Sequence, residues 1–562
     1  MDQLKKTGRS LFQPFCLFIV LIALIEPNPP LEARPVQKQR DSGHMFCALG
    51  DFKSLDHESL MSLVDSFAGR HPMETIRIIE PLDDSIFPPD MASPAFLWED
   101  GTNSSAWLIT FRNNINILLR ALITTPWWIP DENTWGALQR AAGNDRFEII
   151  IEGIGGLSGR DILSRGSVSS IFSKDRVDAY LMFMRKPLPF LNAKNNPEKT
   201  SILRGTLESY NPPETVFSNP PVCANCHSYS LDGDYLAMDT DYKGDKGAFL
   251  FSSMDEEIKI TNSTIFSWNV MGPEKPATYH MGLFAQVSPD GAYVAGTVNE
   301  TSVFVMMDDL FFSQLFYPST GQIAIFDTRT KRFDLLPGAS FRDIIQTAPA
   351  WRPDGKYIAF ARASIDPGLI QKVLTKEILR ESPAQDINDL NKKYPVQFDI
   401  YAVPFNDGKG GAPEPLRGAS GNGCSNYFPR YSPDGKWIVF TQSPTGLVLQ
   451  PESRLIIIPS EGGEPEQLRC NQAVMNSWHS WSPNSKWLVF TCKANSPYTE
   501  LYLTHIDEKG DSSPAVRLFR FSSNEFAAMV PEFLPRKTGL TKAIVFDSIE
   551  DATGKSMAID GR

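Results

Sequence analysis

Ser432-Pro433-Asp434-Gly435-Lys436-Trp437-Ile438-Val439-Phe440 decides the fold, because its pattern returns along the second half of the chain. Pro fixes φ and Gly accepts a positive φ, so Pro-Asp-Gly forms a tight turn. The apolar run behind it reads as a strand, and the whole unit as a hairpin. Related turns start at Ser230, Ser288, Arg352 and Ser482, spaced 58, 64, 80 and 50 residues apart in chain order. An aromatic follows each at one offset: Tyr235, Tyr293, Tyr357, Trp437 and Trp487. A degenerate sixth copy is expected at Lys542-Ala543-Ile544-Val545-Phe546.

Further strands follow each hairpin, such as Gln322 to Phe326 and Glu500 to Thr504. Four strands per period of roughly 50 residues is the pattern of a propeller blade, whose faces bury only against neighbouring blades. The repeat resembles the blades of TolB-like six-bladed propellers, which carry this Ser-Pro-Asp-Gly-Lys turn. That resemblance covers residues 229–562 and implies an all-β fold. It names no activity, since propellers host many.

Upstream, strand-like runs at Ile76–Ile79, Ala106–Phe111, Phe147–Ile151 and Ala179–Met184 suggest a β-sandwich of the immunoglobulin or fibronectin III kind over residues 73–205. Asp131 caps one helix within it, and Gly143 ends that helix. Residues 34–72 read as a linker with a short helix at Leu55–Phe67, and 206–228 as a second linker.

The N-terminus carries Lys5, Lys6 and Arg9 before an apolar stretch from Leu11 to Ile25, the form of a secretory signal or anchor within residues 1–33. An extracytoplasmic, periplasmic location follows as an expectation. No other segment is apolar enough to cross a membrane. The net charge of −12 disfavours nucleic acid, which needs clustered Lys and Arg.

One motif carries chemistry. Cys223-Ala224-Asn225-Cys226-His227 is C-x-x-C-H, the attachment signature of c-type haem. Two thiols at that spacing can add to one porphyrin edge, and the adjacent His can ligate iron. A local Cys223–Cys226 disulfide, a zinc site and a redox pair compete with this reading.

Repeat alignment gathers His280, Met281, Met475 and Met529 at the channel mouth beside the motif. His280 is the first candidate for the distal ligand, with Met475 and Met281 behind it. His479 aligns with His227 and is expected to pack between blades. Cys424 and Cys470 are candidates for a disulfide, while Asp239, Asp241, Asp308 and Asp309 read as solvated faces or turn bonds. No G-x-S-x-G is present, so a hydrolase is disfavoured. The expected function is haem c electron transfer with an unknown redox or envelope protein partner. The alternatives are a protein- or glycan-binding scaffold and a haem-dependent oxidoreductase.

Overall fold

The computed structural model describes residues 45–48, 50–155, 161–220, 226–271, 281–300, 302–306, 314–318, 320–364, 395–446, 450–536 and 541–546, with single residues 310, 366 and 368. The expected signal segment lies outside them. No described helix is long and apolar enough to cross a membrane.

Each turn copy works as its composition demands. The Ser288 Oγ donates to Asp290 Oδ1 at 2.6 Å and accepts the Tyr293 N–H at 2.9 Å. Ser230, Ser432 and Ser482 repeat both bonds with their own partners. Gly435 takes φ 73°, where any Cβ is strained. In the third copy Arg352 replaces Ser and reaches Asp354 through its guanidinium.

Each hairpin opens a four-stranded antiparallel sheet. Blade one holds His227–Tyr229, Tyr235–Asp239, Ala248–Ser253 and Ile265–Ser267. The inner strands of blades two to five are Met281–Val287, Ile344–Trp351, Ser425–Tyr431 and Ser477–Trp481. Tryptophans before the turns lock neighbours: Trp351 Nε1 donates to Gln286 O at 3.0 Å, and Trp481 Nε1 to Arg430 O at 3.2 Å.

Blade six is assembled from two segments far apart in the chain. Its inner strand is Phe526–Pro535, which pairs antiparallel with Ala179–Pro187. Ser201–Thr206 and Glu214–Ser218 complete the sheet. The ring therefore closes as a six-bladed propeller, and the chain is all-β apart from short helices. Ala179–Met184, expected in the sandwich, belongs to this blade, where it pairs with Phe526–Pro535 on one side and Ser201–Thr206 on the other. The supposed sixth copy, Ala543–Phe546, pairs instead with Glu257–Ile260, in parallel, and builds no blade.

The preceding domain is a sandwich of a seven-stranded and a three-stranded sheet, with the helix Glu132–Ala142 against its core. Met45–Ala48 and Ala68–Thr75 join the larger sheet, so part of the expected linker is sandwich. Trp128 is buried against Phe96 in that core. One buried cluster runs from Phe87 and Trp135 in the sandwich to Trp487, Leu503 and Phe533 in the propeller.

If the pairing of Phe526–Pro535 with Ala179–Pro187 holds the ring shut, a chain ending at Glu525 loses it. Such a chain should show no cooperative thermal transition of the propeller by circular dichroism. A melt matching that of the full chain would contradict this closure.

Candidate functional site

The inner strands carry a repeated irregularity that shapes the channel. Four residues before each turn, Phe284, Ala348, Phe428 and Trp478 take φ between 46° and 62°, and Val530 of blade six takes φ 47°. Each sits where the ladder register shifts, the mark of a β-bulge. A bulge re-aims side chains, and here it turns them towards the channel axis. Phe284 meets Phe428 edge-to-face at 5.7 Å, although blades two and four are not neighbours. Phe428 also lies 4.6 Å from Trp478. Cys226 holds the same position in blade one.

Two residues deeper stand Ser228, Gln286, Ala350, Arg430, Ser480 and Glu532, a layer that is polar in every blade but the third. Arg430 of blade four crosses the channel. Its Nη2 lies 3.1 Å from Glu532 Oε1 of blade six, and its Nη1 donates to Gln286 Oε1 of blade two. Ser480 Oγ donates to the other Glu532 oxygen at 2.6 Å. Burial pushes the Glu532 carboxyl up, and Arg430 pulls it back down. Aromatic contacts in one layer and ionic contacts in the next thus span the channel.

Asp239 joins blade one to the bulge of blade two, accepting the N–H groups of Phe284 at 2.7 Å and Ala285 at 3.1 Å. It is 2 % exposed, and burial pushes its carboxyl up to about 7 against those two donors. Of the two expected readings, solvated face or turn bond, the first fails for Asp239, because a bulge needs its two freed N–H groups satisfied.

Of the C-x-x-C-H motif, Cys226 and His227 are described; Cys223 lies outside the described residues, as does His280. Burial, with Asp239 adding to it, pushes the Cys226 thiol well above its usual value. Across the channel, burial, then Glu300, then Cys226 raise the Tyr427 phenol. His227 is fully buried, pairs across the ladder with Met238, and meets Tyr229 edge-on at 6.0 Å. Its register equivalent, His479, packs between blades and bonds Val439 O at 2.9 Å. Burial lowers the His479 pKa to about 3, so this ring stays neutral.

His227 lies in the layer between blades six and one, whose buried side chains include Met182, Met184, Met238 and Met529. Cys226 belongs to the channel layer. A haem bonded at Cys223 and Cys226 and ligated by His227 needs all three side chains on one porphyrin.

The remaining candidates separate. Met281 opens the inner strand of blade two, paired with Glu300. Met475 is buried at φ 51°, its N–H bonded to Pro451 O at 2.8 Å. Cys424 and Cys470, candidates for a disulfide, are two separate free thiols in this structure. Cys470 is enclosed in the core shared by blades four and five, whereas Cys424 sits in the turn where its N–H bonds Asn422 Oδ1. Arg430, Glu532 and Gln286 went unremarked in the sequence, since their link appears only when the turns are aligned and the ring is closed.

No protein-family model matches this chain, and no curated protein matches it. Among solved structures, TolB from Acinetobacter baumannii is similar at 16% identity and TM-score 0.38, over 69% of this chain and 80% of that one. An oligogalacturonate lyase in complex with manganese matches at 12% identity and TM-score 0.30, over 52% of this chain and 64% of that one. The propeller itself is given by the strand pairing.

Replacing Arg430 by Ala leaves Glu532 buried beside Ser480 without its cation, at a cost of about 3 kcal/mol. The sign with pH follows from the raised carboxyl. Its folded form holds a proton more tightly than the unfolded chain, so the variant regains stability as pH falls and loses it as pH rises. Urea unfolding at two pH values checks both statements.

Proposed function

We propose that this protein is an extracytoplasmic binding scaffold, a TolB-like propeller that engages an envelope protein or glycan on its mouth face. The observation that carries this reading is the bridged channel. With Arg430 spanning to Gln286 and Glu532, a partner meets the rim rather than passing through. Inner strands run away from the mouth and second strands return to it, so connections between second and third strands lie on that face. One of them carries an added hairpin, Ser302–Met306 paired with Gln314–Pro318. The N-terminal basic and apolar pattern supports export.

Replacing residues 302–318 by a short Gly-Ser linker should leave the melting temperature within a few degrees and abolish crosslinking to the envelope partner. Unchanged crosslinking after this and other mouth-face replacements would refute the reading.

The C-x-x-C-H spacing favours a second reading: haem c attached at Cys223 and Cys226, for electron transfer. It requires His227 to leave the interblade layer, with His280 then the first candidate for the far side of the iron. In-gel haem staining and a pyridine haemochrome spectrum decide it. Covalent haem in the wild type, lost when Cys223→Ala and Cys226→Ala are combined, supports attachment; colourless protein from a host competent in haem attachment rejects it.

A further inference from the structure

A short segment beyond the last ring strand crosses the seam between blades six and one. Residues 541–546 follow shortly after Phe526–Pro535 and belong to neither blade's four-stranded sheet. Ala543–Phe546 lies parallel to Glu257–Ile260, with Ile544 opposite Ile258 and Phe546 opposite Ile260. Among the described residues, Glu257–Ile260 pairs with no other strand. Strand alternation decides what this strap buries. Ile544 is 3 % exposed and joins Ile258, Ile260, Val216 and Phe217 in the core of the seam. Phe546 meets the Phe217 ring at 5.8 Å.

The polar contacts also reach both blades. From blade six, the buried Arg204 guanidinium donates to Thr541 O. In the connection within blade one, Asp255 O accepts from Thr541 Oγ1 at 2.7 Å, and Glu256 O from the Lys542 N–H at 2.7 Å. The strap is therefore seated as a bound peptide would be. It adds a strand to an edge, anchors one carbonyl, and places two side chains in an apolar seam.

Its hold is limited. A parallel pair of four residues with no further strand beside it is marginal by itself. A segment with so few buried side chains opens at less cost than the whole fold. Opening bares the edge of Glu257–Ile260 and the seam at Phe217, a template for another extended chain.

We propose that this seam is a strand-accepting site, occupied in cis by residues 541–546 and available in trans to an extended segment of a partner protein. The strap itself defines the fit. The segment carries apolar side chains at two alternate positions, as Ile544 and Phe546 do, and an upstream carbonyl for Arg204, as Thr541 does. The site uses none of residues 302–318 and stands whatever the mouth face engages.

The probe is a fluorescein-labelled peptide with the sequence of residues 541–546, read by anisotropy against the full chain. Ile544→Asp puts a carboxylate into the seam and releases the strap. The peptide should bind this variant saturably and at least tenfold more tightly than the wild type, where the tethered strap competes. A control peptide with Asp in place of its Ile should not bind. Hydrogen exchange of the wild type decides the matter if Ile544→Asp fails to fold. Residues 541–546 should exchange before the strands of blades six and one, and excess peptide should speed that exchange by displacing them. No binding to the folded variant, equal binding of the control, or equal affinity for wild type and variant overturns the proposal. Exchange of residues 541–546 only together with those strands, unmoved by peptide, overturns it as well.

Discussion

Everything in this fold depends on the antiparallel pairing of Phe526–Pro535 with Ala179–Pro187. A blade's faces are apolar and need neighbours, so an open row of five blades would leave two large faces in water. The pairing supplies the sixth blade from segments far apart in the chain and removes both exposed faces together. It also determines where the sandwich sits. The strand that closes the ring follows directly from that domain, so the sandwich is held against blades five and six, where one core spans both.

Ring closure also explains the channel. The same bulge recurs in the inner strands of blades two to six, and different side chains at that position then meet across the axis. Phe284, Phe428 and Trp478 fill one layer; Arg430, Gln286 and Glu532 fill the next. The buried ion pair contributes little net stability by itself, because desolvation offsets most of its attraction. Its consequence is specificity: a single long side chain ties blades two, four and six into one register.

Blades one to five were legible in the sequence because Ser230, Ser288, Arg352, Ser432 and Ser482 each start a turn whose hydrogen bonds need those residue types. Blade six was not. Its inner strand carries no such turn, and its outer strands lie more than three hundred residues upstream, where Ala179–Met184 reads as any apolar strand. Lys542–Phe546 misled for the opposite reason, having the apolar run without the turn. At the site, the position of His479 followed from alignment. The link from Arg430 to Glu532 could not be read, since charge pairing across a channel leaves no local spacing. The burial of Asp239 was hidden too, because its partners are backbone N–H groups freed by a bulge.

Hydrogen exchange followed by mass spectrometry tests the closure most directly. Peptides covering residues 179–187 and 526–535 should exchange together, with the protection of the central strands of blades three to five. Residues 179–187 exchanging with the sandwich strands, independently of 526–535, would contradict a ring closed by these two segments.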